Sequence, residues 1–244
     1  MSPVIKMIKR GLRRLSPPGQ ALMVVGMHRS GTSFLTGSLQ QAGLELGQHS
    51  DWNPHNLKGN RENQDVVAFH DALLARHGCA WDLPPGAPID WSEQDNSRAR
   101  DLIKDYRGVA HWGFKDPRAL LLVEGWQALL PNLQFVGIFR HPKAVAHSLN
   151  ARGGMSEVQA FLLWQAYNNR LIELHKRNPF PLLCFDEDEH VLSDKLDQLL
   201  PELGLQPLAE NRFFSAELKH HQPENSDLPA EIAGMYQTLC RLAR

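Results

Sequence analysis

Cysteine is scarce in this chain: three residues in 244, Cys79, Cys184 and Cys240, far apart and with no C-x-x-C pair. That fits a reducing, cytoplasmic compartment and argues against a disulfide framework or structural zinc. Histidine is more plentiful, at 12 residues, but no H-E-x-x-H or similar spacing occurs, and His220-His221 reads as a solvated pair, so no metal site is expected. An excess of one charge sign is also missing. The 26 Lys and Arg against 27 Asp and Glu leave a formal charge of −1, which argues against general nucleic-acid binding but allows a local basic site. Apolar runs long enough to span a bilayer are absent, as are repeats and low-complexity tracts.

What is present is an ordinary globular composition, 42% hydrophobic and 22% charged, in a length suited to one α/β domain. The N-terminal stretch "SPVIKMIKRGLRRLSPPG" carries Lys6, Lys9, Arg10, Arg13 and Arg14 without an acid. Its Val4, Ile5, Ile8, Leu12 and Leu15 fall near one helical face. Its apolar core is too short for a secretory signal. A basic amphipathic helix over residues 1–15 suits peripheral contact with an anionic surface, such as the inner face of a membrane. A leader packed loosely on the domain fits the same residues equally well. Pro17-Pro18-Gly19 divides this leader, 1–19, from a single domain, 20–244.

Beyond the leader, short apolar runs alternate with helical patterns. "ALMVVG", "HWGFK", "QFVGIF" and "PLLCF" read as strands buried on both faces. Helices are expected after the first strand with Phe34, Leu35, Leu39 and Ala42 inward, from Gln64 to His77, over "SRARDLIKDYRG", and over Leu120 to Leu130 with Pro117 in the first turn. Further helices follow Pro142, open on a Ser156–Gln159 capping box, and run over Val191 to Leu203 and from Pro229 onward. His49 to Glu62 reads as a long loop. Such alternation predicts a three-layer α/β sandwich with a central parallel sheet. Ligands in these folds bind beyond the carboxyl ends of the strands.

Those ends carry the chemistry. "VVGMHRSGTS" has Gly26 and Gly31 spaced as in a phosphate-cradling loop, but Thr32 stands where the lysine that reaches the β- and γ-phosphates would be. Loop amides, the helix N-terminus, the hydroxyls of Ser30, Thr32 and Ser33, and the Arg29 cation suit one compact phosphate. A plain glycine turn fits the same spacing. "FRHPKAVAHSL" sets Arg140 at a strand end and Ser148 two turns into a helix, suited to a second phosphate or to a salt bridge and a polar face. "GFKDPR" sets Lys115 and Arg118 at a third end, where a cation can stabilise a leaving oxygen. Asp116 there reads as a partner of Lys115 or a helix cap.

Taken together, "GMHRSGTS", "GFKDPR", "FRHPKAVAHSL" and "NLKGNRENQDVVAFHDALL" resemble the bacterial sulfotransferase family, from about Ala21 to Glu189. The resemblance implies a P-loop NTPase-like fold with no metal requirement. It implies 3′-phosphoadenosine 5′-phosphosulfate (PAPS) as donor, its product 3′-phosphoadenosine 5′-phosphate (PAP), and a hydroxyl acceptor: glycan, lipid, tyrosine or small alcohol. His28, Arg29, Ser30, Gly31, Thr32 and Ser33 would hold the 5′-phosphate, and Arg140 with Ser148 the 3′-phosphate. Arg29 and Lys115 would neutralise the sulfuryl and bridging oxygens, with Arg118 in support. Glu62, in "NRENQDVV", would be the general base, with Arg61 where relatives carry an aromatic. A first-turn acid on the helix dipole is the other reading of Glu62; His55 and His70 are lesser candidates for the base. The loop and the C-terminal helices would frame the acceptor. A metal-dependent kinase using Asp116 for Mg²⁺, and a PAP or PAPS sensor without turnover, are the rival readings.

Overall fold

The computed structural model describes residues 19–49, 60–208 and 228–244. The basic leader up to Pro18, most of the long loop with His55, and the His220-His221 pair lie outside the described residues. Four strands form one parallel sheet: β1 (Gln20–Val25), β2 (His111–Lys115), β3 (Gln134–Phe139) and β4 (Leu182–Cys184), in the order β2-β1-β3-β4. The first strand is continuous in apolar residues because both its faces are covered. Ala21, Met23 and Val25 enter one core, Leu22 and Val24 the other. This is the period-2 alternation of a strand buried between two helical layers.

One layer holds α1 (Thr32–Gln41) and α7 (Glu189–Glu202), whose Phe34, Leu35, Leu39, Leu192, Leu196 and Leu199 pack on Val24, Ile138 and Leu183. The other holds α2 (Gln64–Arg76), α3 (Glu93–Ile103), α4 (Val123–Leu129), α5 (Pro142–Gly153), α6 (Glu157–Arg177) and α8 (Ala230–Leu242). Its core is built around the fully buried Trp112, Trp126, Trp164 and Tyr167. The start of α6 has the expected capping box, Ser156 with Gln159. No helix among the described residues is long and apolar enough to cross a membrane.

Two expectations shift. The helix read from Pro117 through Leu130 is instead a 3₁₀ segment, Pro117–Leu122, followed by the short α4. Ala119, Leu120, Leu121 and Leu122 are all buried, so the segment has no polar face to lay along solvent and winds tightly into the core. α3 begins earlier than "SRARD", at Glu93, because Ser92 and Asp95 form a capping box there.

Candidate functional site

The parallel register decides which strand ends meet. Val24 pairs with Lys115 and Val25 with Gly137, so the loop leaving β1 is flanked by the carboxyl ends of β2 and β3. Two glycines shape that loop. A Cβ on Gly26 would lie 2.3 Å from the Ile138 carbonyl oxygen, and one on Gly31 2.4 Å from the Phe185 ring. Gly31 also has φ 90°, and Arg29 holds a left-handed φ of 65° that costs an L-residue about 1–3 kcal/mol. The turn opens α1, whose N-terminus has no side-chain cap and no acid in its first turn. Its amides and dipole are therefore available to an anion.

Arginines crowd this loop. Arg29 Nε donates to Ser148 Oγ at 2.7 Å, and Arg140 Nη1 reaches the Arg29 carbonyl oxygen at 3.5 Å. Burial depresses the pKa of Arg29, and the positive charges of Arg152 and Arg140 depress it further. Arg140 is depressed by burial and partly restored by Asp186, 3.7 Å from its Nε. Its guanidinium also sits 5.2 Å from the centroid of the Phe185 ring. Arg140 Nε, Ser30 Oγ and His28 Nε2 are buried without a hydrogen-bond partner among the described residues. Each such group costs about 1–3 kcal/mol unless a ligand answers it. Clustered cations, open helix amides and orphaned polar atoms fit a phosphate. Ser148 Oγ accepts from Arg29, which leaves its own proton free for a second acceptor.

On the other flank, Lys115 is 2% exposed and donates to Glu62 Oε1 at 2.8 Å and to Ser33 Oγ at 3.4 Å. Glu62 precedes Asn63, the residue that caps α2, so it is an ion-pair partner and not a first-turn acid. The N-cap role falls to Asn63, which accepts from Asp65 N and Val66 N. Arg61, left-handed at φ 58°, turns toward His49.

Of the two Asp116 expectations the cap holds, since Asp116 caps the 3₁₀ segment Pro117–Leu122, and the pairing needs correction. Its partner is not Lys115. Asp116 is fully buried and accepts from His70 Nδ1 at 2.7 Å and from Arg118 N and Nη1 at 3.1 and 2.9 Å. Burial opposes its ionisation, but the hydrogen bond from His70 and the charge of Arg118 outweigh that and hold its carboxyl far below the usual range. His70, a lesser candidate for the base, is fully buried in α2. Trp126 Nε1 donates to its Nε2 at 2.8 Å, which fixes the tautomer with the proton on Nδ1 and takes up both ring nitrogens. Arg118 is held by Asp71 at 2.5 Å as well as by Asp116, so its charge is already offset. This buried chain props the turn after Lys115; the carboxylate sought by a kinase reading is committed to three donors.

His28 packs against Trp81 at 4.8 Å and Tyr167 at 5.9 Å between ring centroids. Burial, then the positive charge of Arg118, pushes its pKa from 6.5 down to about 3, with Asp116 opposing and Lys115 and Arg152 adding to the fall. The native state thus binds fewer protons than the unfolded chain between pH 6.5 and 3, and stability falls as pH drops through that window. His28 contributes up to one proton, about 1.4 kcal/mol per pH unit. Urea unfolding at pH 6.5 and 4.5 should show His28→Asn with a slope shallower by about one proton; equal slopes would place the acid sensitivity elsewhere.

Several site residues carry no local sequence signal. Asp186 pairs with Arg140 and accepts from His141 N at 2.5 Å, and only its position after the last strand could have marked it. Tyr236 of α8 packs on His141 at 4.8 Å, so this helix borders the Arg140 flank, with Lys115 and Glu62 on the opposite side of the loop.

No family model matches the chain, and no curated protein matches its sequence. Among solved structures it is similar to sulfotransferase STF9 from Mycobacterium avium, with TM-score 0.52 and 15% identity over 98% of this chain and 79% of that one. Sulfotransferase STF1 from Mycobacterium tuberculosis H37Rv matches with TM-score 0.45 and 14% identity over 95% and 80%. The STF9 match defines the fold: a sulfotransferase-type α/β architecture with its parallel sheet between helical layers.

Proposed function

We propose that the protein is a sulfotransferase that moves a sulfuryl group from PAPS to an acceptor hydroxyl and releases PAP. The observation that carries this reading is the loop itself: Arg29 and Arg140 converge on an uncapped helix N-terminus, with the Lys115–Glu62 pair beside Ser33. When bound, PAPS supplies an activated sulfuryl group on a single 5′-phosphate. That donor has no γ-phosphate, which accounts for Thr32 in place of a lysine. The residues Met27 to Ser33 would hold the 5′-phosphate through amides and hydroxyls, with His28 closing the loop against Trp81. Arg140 and the free proton of Ser148 would hold the 3′-phosphate.

Glu62 would take the acceptor's proton as general base. Protonation neutralises the carboxylate and weakens its hold on Lys115, so the ammonium is released toward the leaving oxygen when charge develops there. Base and electrostatic partner would thus be coupled through one 2.8 Å ion pair. Arg29, fixed by Ser148, would meet the 5′-phosphate and the sulfuryl oxygens it bears. Positioning and charge stabilisation would supply the rate without a metal.

Calorimetric titration with PAP and with AMP tests the assignment of Arg140. PAP should bind at least about tenfold more tightly, a difference of about 1.4 kcal/mol, and Arg140→Ala should abolish the difference. Equal affinities in the wild type would remove the 3′-phosphate site from the proposal.

A further inference from the structure

Cys184 ends β4 and is buried, whereas Cys240 lies near the end of α8 and is exposed. Distant in sequence, the two line one cavity of about 280 Å³ with Asp186 and Tyr236. The separation of the cysteines along the chain therefore misleads. Both are free thiols, and Cys240 stands one helical turn after Tyr236 on the same side of α8. Cys184 Sγ also lies 3.8 Å from Asp186 Oδ2 and 3.9 Å from Tyr236 Oη.

The pair is asymmetric. Interaction with Cys184, helped by Tyr236, draws the Cys240 thiol down to about 7 against the effect of burial. The same neighbour relation, burial and the Asp186 charge push Cys184 up. The exposed sulfur is thus the nucleophile, and the buried one is its neighbour in waiting.

We propose that Cys184 and Cys240 form a peroxide-sensitive pair that closes to a disulfide, pinning α8 to the end of β4 beside the Arg140–Asp186 ion pair. The Cys240 thiolate attacks one oxygen of hydrogen peroxide, the O–O bond breaks, and hydroxide leaves Cys240 as a sulfenic acid. Cys184 then attacks that sulfur, the S–O bond breaks, and the hydroxyl leaves as water with the Cys184 proton. The first hydroxide takes up the proton that Cys240 had released. Two thiols and one peroxide thus give one disulfide and two waters, with two electrons passing from sulfur to oxygen.

The test uses the full chain, reduced and then treated with a small excess of hydrogen peroxide. Free thiols counted under denaturing conditions should fall from three to one, with a linked peptide containing positions 184 and 240 in the digest. Dithiothreitol should restore all three. Because Cys240 is exposed, Cys240→Ser should fold and should form no disulfide, whereas Cys184→Ser should yield a Cys240 sulfenic acid trapped by dimedone. The oxidised wild type should unfold at a higher temperature than the reduced protein, as the crosslink constrains the unfolded chain. Three remaining thiols, a linkage through Cys79, or conversion of Cys240 to the sulfinic acid with Cys184 untouched would overturn the proposal.

Discussion

Glu62→Gln should lower kcat by ~10²–10⁴ while leaving PAP affinity within about threefold, because the change removes a proton acceptor without removing a phosphate contact. The side chain keeps its shape and an oxygen that can accept from Lys115, now 2.8 Å from Glu62 Oε1. Lys115→Met is the sharper companion. It would strip the cation proposed for the leaving oxygen, and it leaves the Glu62 carboxylate, only 12% exposed, without its partner. A broken buried pair costs about 3–5 kcal/mol, so this variant should lose stability as well as turnover. The measurement is single-turnover PAP release with a responsive acceptor, alongside unfolding curves for each variant. If Glu62→Gln keeps full turnover, the general base is another residue and the ion pair serves only to hold the loop.

Arg29→Ala should weaken PAP binding by roughly 10- to 150-fold, the range of about 1.5–3 kcal/mol expected for hydrogen bonds to a charged group. Truncation also leaves a left-handed φ of 65° occupied by a residue that disfavours it, so Arg29→Gly should recover stability without recovering affinity. Ser148→Ala should cost less. Its hydroxyl fixes Arg29 Nε at 2.7 Å, so its effect should shrink when Arg29 is already removed. A double-mutant cycle on PAP affinity reads that coupling. Additive losses would mean that the two side chains meet the ligand independently.

The fold was legible because each strand is a short apolar run and each is followed by a helical pattern. "ALMVV" reads as a strand covered on both faces, and the structure gives its alternate residues to opposite cores. The clustering of cations was legible for the same reason: Lys115 ends β2, Arg140 follows β3 and Arg29 lies in the loop after β1, and a parallel sheet collects such ends. Pairing was not legible. Glu62 meets Lys115 across 53 positions, and Arg29 meets Ser148 across 119, because sheet register rather than sequence proximity brings them together. Asp116 was read from its neighbours Lys115 and Pro117, yet its carboxylate is claimed by His70 from α2. Cys184 and Cys240 likewise looked unrelated until α8 packed beside β4. In each case a residue's role was set by burial and by a partner supplied from another element.

Thermal unfolding with PAP alone, set against ATP with Mg²⁺, tests most directly whether the loop after β1 is a PAP site. A ligand at ~100 times its dissociation constant stabilises the native state by ~2.7 kcal/mol. PAP should raise the midpoint by several degrees in the wild type and by about half of that or less in Arg140→Ala, with Mg²⁺ adding nothing. A shift with ATP and Mg²⁺ but none with PAP would contradict the sulfotransferase reading and favour a kinase.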